Sequence, residues 1–214
     1  MTDGPTNPVS ASLIDRVKNI IVSPKTEWAR IAAEPATVGG LFTGYAMILA
    51  AIPLICGIAG SLLFTSALGV FRPPVTFIVV LAVLGYVVTL GVVYLMGLII
   101  GALAPSFGGT NDKISGFKLS VYASTPVWIA GVLTIFPPLA LLVWLAYLYV
   151  IYVIYTGVGP VLRVPEDKSV VTTIVIIACY IVLQLVLTMI ISAIVFAMFA
   201  SVLMGAAASV PTAF

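Results

Sequence analysis

Residues 117–138 read Phe-Lys-Leu-Ser-Val-Tyr-Ala-Ser-Thr-Pro-Val-Trp-Ile-Ala-Gly-Val-Leu-Thr-Ile-Phe-Pro-Pro. The stretch is apolar enough to enter a bilayer, yet its first ten positions hold Lys118, Ser120, Tyr122, Ser124, Thr125 and Pro126. A helix facing lipid does not keep such polar crowding, so these groups are expected to face protein or water. On a helix, Lys118, Tyr122 and Thr125 or Pro126 fall at i, i+4 and i+7 or i+8, on one face, from which Lys118 can reach towards the membrane surface. Two readings stand. The segment is the polar spine of a membrane bundle, or its hydroxyls merely pack against neighbouring helices while Lys118 marks the cytoplasmic boundary.

Outside this stretch the charges partition the chain. Of 214 residues, 62% are hydrophobic and 7% charged, against roughly a quarter charged in soluble domains. No charge occurs in 35–71, 73–111, 119–162 or 169–214. A helical span needs about 20 apolar residues, so each interval holds at least one. The third is long enough for two, with Phe136-Pro137-Pro138 as the break, because prolines remove donors and end helices. The expected fold is all-α: an integral membrane bundle of five transmembrane helices preceded by short amphipathic cytoplasmic helices. The spans are expected near 38–64, 75–103, 114–136, 139–157 and 170–201, between a cytoplasmic segment at 1–37 and an external tail at 202–214. Eight of the nine Lys and Arg residues fall in the N-terminal segment and the second and fourth loops, and Arg72 alone in the first loop. The positive-inside rule therefore predicts a cytoplasmic N-terminus and an outside C-terminus, in the cell (inner) membrane. No signal peptide is expected ahead of the first apolar segment, and a net charge of +2 gives no reason to expect nucleic-acid binding.

Residues 1–9, with Gly4, Pro5 and Pro8, read as a disordered start. Leu13, Ile14, Val17, Ile20 and Ile21 then recur at helical spacing among polar residues, which predicts an amphipathic helix on the cytoplasmic membrane surface. Ser23 is placed to cap a second helix with Pro24 at its first position, Trp28, Ile31 and Ala32 on its apolar side and Glu34-Pro35 as its stop. These helices, through Leu13, Ile14, Val17, Ile20 and Trp28, are expected to meet either the membrane surface or a cytoplasmic partner. Small residues four apart, Gly40 with Gly44 and Gly97 with Gly101, mark places where helices can approach closely. Short loops around Arg72 and at 104–116 separate the early spans, and the latter lacks the spacing of a phosphate loop.

The fourth span is aromatic, with Tyr149 and Tyr152 deep enough to need partners among the third-span hydroxyls or Lys118. Ser169 is placed to cap the last helix, along which Thr173, Tyr180, Gln184, Thr188 and Ser192 form a slanted polar line. An unpaired Gln184 amide in hydrocarbon is costly, so it is expected to bond another helix or contact a substrate. Cys56 and Cys179 read as small apolar residues, and there is no histidine.

Several motifs together resemble one family. They are Lys25-Thr-Glu-Trp-x-x-Ile-x-Ala-Glu-Pro35, Gly44-Tyr45, Lys118-x-x-x-Tyr122-Ala-Ser-Thr-Pro126-Val-Trp-x-Ala-Gly131, and Tyr149-x-x-Tyr152 leading to Gly159-Pro-Val-Leu-x-Val-Pro-Glu-Asp-Lys168. Over about Leu13 to Ser201 the chain is similar to bacterial members of the Yip family, the Ypt/Rab-interacting membrane proteins. The resemblance implies five spans, a cytoplasmic N-terminus and an outside C-terminus. It also implies kinship with proteins of vesicle traffic that bind small prenylated GTPases. The family's Gly-Tyr-x-x-x-Pro element maps onto Tyr122 and Pro126 with Val121 at the glycine, and its Asp-Leu-Tyr-Gly-Pro element has no counterpart.

Enzymatic activity is not expected, because the spans hold no Asp, Glu or His for acid-base chemistry or a metal, and no cofactor is expected. One function class is a membrane-organising or interaction protein, with the bilayer, a protein at the cytoplasmic face or a second copy as partners. The other is a transporter, channel or lipid-handling protein built on a polar interior of Lys118, Tyr122, Ser124, Thr125, Pro126, Tyr152 and Gln184.

Overall fold

A computed structural model describes residues 12–67 and 74–208. The expected disordered start, most of the first loop around Arg72 and residues 209–214 of the expected tail lie outside them. Two ten-residue helices, α1 (Leu13–Val22) and α2 (Pro24–Ala33), precede five helical segments long and apolar enough to cross a membrane. The first segment, Val38–Phe64, comprises α3 (Val38–Leu41), a π-helical turn at Phe42–Ala46 and most of α4 (Met47–Ala67). The second, Val75–Phe107, is α5 (Val75–Leu103) with a closing 3-10 turn. The third, Lys113–Ile135, joins α6 (Lys113–Ala123), α7 (Thr125–Ala130) and a 3-10 turn. The fourth is α8 (Val143–Leu162), and the fifth lies within α9 (Glu166–Ala208).

Polarity decides which span sits at the centre. The third is the least apolar and has half of its central stretch buried, whereas the fifth is the most apolar and has 6% buried. Polar side chains are costly against lipid, so the span that carries them is surrounded by the others.

Glycines set the closest crossing. A Cβ added to Gly116 would lie 2.4 Å from the Gly97 carbonyl oxygen and 2.5 Å from the Gly101 nitrogen, so α5 and α6 meet backbone to backbone. The Gly97–Gly101 spacing thus works as expected, and its facing residue is Gly116. Gly44 has nothing within 4 Å of such a Cβ, and Gly40 meets only the Thr37 hydroxyl, so among the described residues the first-span spacing makes no helix crossing. Gly116→Ala is expected to destabilise the bundle by about 1–3 kcal/mol, because backbone on the far side cannot rotate away. Gly44→Ala is expected to be near neutral; denaturant titration of both variants in detergent checks the pair.

Prolines shape the third span from inside. Pro126 has no N–H, so the Tyr122 carbonyl four residues earlier loses its helical donor. The neighbouring Thr125 hydroxyl donates to it at 2.7 Å, and the helix breaks at Ser124 between α6 and α7. At the other end, Pro137–Leu142 form a 3-10 turn, so α8 begins at Val143 rather than directly after the prolines. Gly157, Gly159 and Pro160 remain inside α8, which continues to Leu162.

The charged loops gather at the end that α1 and α2 occupy. There the Thr110 N–H donates to the Leu162 carbonyl at 2.7 Å, tying the α5–α6 loop to the end of α8. Ser169 does not cap α9. The helix starts three residues earlier, at Glu166, and the Ser169 hydroxyl bonds back to the Pro165 carbonyl at 3.1 Å.

Candidate functional site

The α1–α2 hairpin is built into the end of the bundle. On α1, Ile20 is fully buried and Arg16 is 4% exposed, while Leu13 and Val17 pack against the core formed by the first three spans. On α2, Glu27, Trp28 and Ile31 are all buried. Contrary to what the apolar spacing alone predicted, Ile20 and Trp28 meet neither a membrane surface nor a partner, because the chain's own third and fourth spans cover them. Only Ile14 keeps an outward position, 75% exposed, and Val22 joins it at 70%. Ser12 caps α1, accepting from the Asp15 N–H at 3.2 Å. Ser23 occupies the cap position of α2 without a side-chain cap bond, and Pro24 opens the helix.

Between hairpin and bundle lies a charge-balanced cluster. The Arg16 guanidinium donates to the Glu27 carboxylate at 2.6 Å and to both carboxylate oxygens of Glu34, one at 2.6 Å. Burial works against the Arg16 charge, but the hydrogen bond and charge of Glu34 and the charge of Glu27 outweigh it and hold the guanidinium above its already high ordinary value. Arg16 also stands over the Tyr122 ring, 5.6 Å from its centre. Arg30 approaches Glu27 at 3.5 Å from the solvent side.

Lys118 completes the cluster from the third span. It is 6% exposed and donates to the carbonyls of Ile31 at 2.8 Å, Ala32 at 3.3 Å and Glu34 at 2.5 Å. These are the orphan carbonyls at the end of α2, where a cation is also favoured by the helix dipole. Lys118 thus points into the protein, and all three of its donors are committed to the hairpin. Two cations and two carboxylates share the cluster.

Aromatic rings seal it from below. Tyr122 stands edge-to-face with Trp28 at 6.4 Å and with Tyr45 at 4.7 Å. The Trp28 indole N–H donates to the Val153 carbonyl at 3.0 Å, and the Tyr149 hydroxyl donates to the Ile21 carbonyl at 2.7 Å. Because the Thr125 proton goes to Tyr122, the 2.9 Å contact with Tyr45 makes the phenol the donor. By the same reasoning Ser120 donates to the Val93 carbonyl at 2.7 Å and accepts from Tyr180 at 3.0 Å. Among the described residues no fully buried side-chain polar atom lacks a partner.

The structure therefore joins Lys118, Tyr122 and Thr125 on one face, with Pro126 buried beside them and Ser124 bonded back to the Ser120 carbonyl at 2.9 Å. It does not bring in Tyr152 or Gln184. Tyr152 is 42% exposed and Gln184 is exposed, because the helix faces that carry them turn away from the bundle. Sequence reasoning missed Arg16, Glu27 and Glu34. The signal was there: Glu27 and Glu34, seven residues apart, share the side of α2 that carries Ile31 and neighbours Trp28, which is no place for unpaired acids.

The fold and this cluster define a class: a helical, multi-pass membrane protein whose N-terminal hairpin is locked onto the bundle by buried ionic contacts. Residues 18–189 match the family model of the Yip1 domain, and the chain belongs to that family. It is 26% identical over 170 residues to inner membrane protein YohC of Escherichia coli strain K12, an alignment covering 73% of this chain and 83% of the relative. The protein of the same name from Escherichia coli O6:H1 gives the same figures. No solved structure matches the chain.

Proposed function

We propose that the protein is a non-enzymatic interaction protein of the inner membrane, with its N-terminus in the cytoplasm, its C-terminus outside, and the α1–α2 hairpin as a docking face for a cytoplasmic protein. The charge distribution and the relatives' name support the placement. The observation that carries the reading is the use of the interior polar groups. Arg16 is taken up by Glu27 and Glu34, and Lys118, Ser120, Ser124 and Thr125 donate to nearby carbonyls, so none of these groups is left directed at a solute. The Tyr122 ring, held by its aromatic neighbours, borders a cleft beside Pro35 and Gly40. What the hairpin presents outward is Ile14 and Val22 among exposed Lys18, Lys25 and Arg30, an apolar pair inside a basic rim held rigidly on the bundle. A photo-crosslinking residue at Ile14 or Val22 in native membranes is expected to give one discrete protein adduct that is absent when the probe replaces lipid-facing Val83. Adducts with lipid alone at both hairpin positions would sink the docking reading.

A second reading rests on a different feature. A cleft of about 550 Å³ opens between the first two spans, lined in part by Pro53, Ser61, Tyr86 and Thr89. Its place in the spans favours lipid handling over solute passage. Purified protein in liposomes that accelerated lipid exchange between leaflets would move the assignment to this cleft; unchanged lipid movement would leave the interaction reading in place.

A further inference from the structure

The fifth span carries a polar line that its own chain leaves unanswered. Gln184, Thr188 and Ser192 are all exposed, and their side chains have no hydrogen-bond partner among the described residues. The packed side of α9 is elsewhere, at Ile176, Tyr180, Leu183 and Leu187. Gln184 lies fourteen residues beyond Val170, the first apolar position after the charged loop. At 1.5 Å per residue that is about 21 Å along the helix, inside a hydrocarbon layer of about 30 Å. Acyl chains supply neither donor nor acceptor there, so an exposed amide calls for protein.

A primary amide is its own complement. It carries two N–H donors at a positive end and a carbonyl acceptor at a negative end. A two-fold axis along the membrane normal brings the same α9 face of a second copy alongside in parallel, and two Gln184 side chains then exchange reciprocal N–H to carbonyl bonds. Ile181 and Leu185, 54% and 59% exposed, flank the amide with apolar surface for the same contact. We propose that the chain forms a parallel homodimer through the exposed face of α9, with the Gln184 amide pair setting the register. This inference is independent of the hairpin reading, since the two concern opposite kinds of surface.

The test uses the full chain in lipid nanodiscs and native membranes. Native mass spectrometry is expected to show a dimer for the wild type. For Gln184→Leu the dimer dissociation constant should rise about tenfold, the effect of one or two interhelical hydrogen bonds. Gln184→Asn, which keeps the amide, should recover much of the loss. With Cys56 and Cys179 replaced by alanine, Leu185→Cys is expected to form an intermolecular disulfide on oxidation and Leu183→Cys is not. A monomeric wild type, a dimer indifferent to Gln184→Leu, or cross-linking at Leu183→Cys in preference to Leu185→Cys would each overturn the proposal. Capture of a different membrane protein on this face by a chain that is monomeric alone would overturn it as well.

Discussion

Arg16→Ala is expected to release the α1–α2 hairpin from the bundle at a cost of about 3–5 kcal/mol, the usual result of removing one partner from a buried ionic contact. The variant leaves two carboxylates facing Lys118 alone, with Glu27 at 1% exposure. Arg30 is no substitute, because its side chain is 66% exposed and its attraction for Glu27 is screened by water. Trypsin reads the effect directly: cleavage at Lys25 and Arg30 within α2 should speed up by about two to four orders of magnitude, following the population of the open hairpin. Arg16→Met combined with Glu27→Leu restores the balance of one cation and one carboxylate, and it fills the site with apolar atoms. Much of the protection should return in that double variant, since replacing a whole buried ion pair is often neutral. Equal sensitivity of single and double variants would mean that the guanidinium holds the hairpin through something other than charge pairing.

The bundle was legible because lipid is a strict solvent: charge-free intervals must be spans, and Pro137-Pro138 must divide the third. Helix ends were less legible. The fourth span begins at Val143 because a 3-10 turn follows the prolines, and it runs past Gly157 because that glycine is a contact surface and not a stop. The candidate site was half legible. Spacing along one helix put Lys118, Tyr122 and Thr125 on a shared face, and they do share it. What they face depends on contacts 84–87 residues apart, such as Lys118 with the carbonyls of α2, and periodicity carries no information about such distances. For the same reason Ile20 and Trp28 looked like surface anchors. An apolar stripe reports that something covers it, and does not say whether that cover is lipid, a partner or the chain's own third and fourth spans.

Trp28→Ala is the sharpest test of that cover, with an expected loss of about 3–5 kcal/mol for emptying the site of a fully buried indole. Trp28→Phe should cost far less. It keeps most of the apolar volume, and the Val153 carbonyl that loses the indole N–H still accepts from the Thr156 hydroxyl at 2.9 Å. Gly157 shows how closely the ring is held, since a Cβ there would come within 2.7 Å of the Trp28 ring and 2.6 Å of the Leu119 side chain. Gly157→Ala should therefore be destabilising in the wild type and much milder beside Trp28→Ala, where the added methyl enters the space the ring has left. The coupling expected from a double-mutant cycle is about 1–2 kcal/mol, as for residues in direct contact. Additive costs would mean that Leu119 alone limits the site. Hairpin and fourth span would then be joined by the charge cluster and the indole hydrogen bond, without the close packing that makes Trp28 the keystone of the contact.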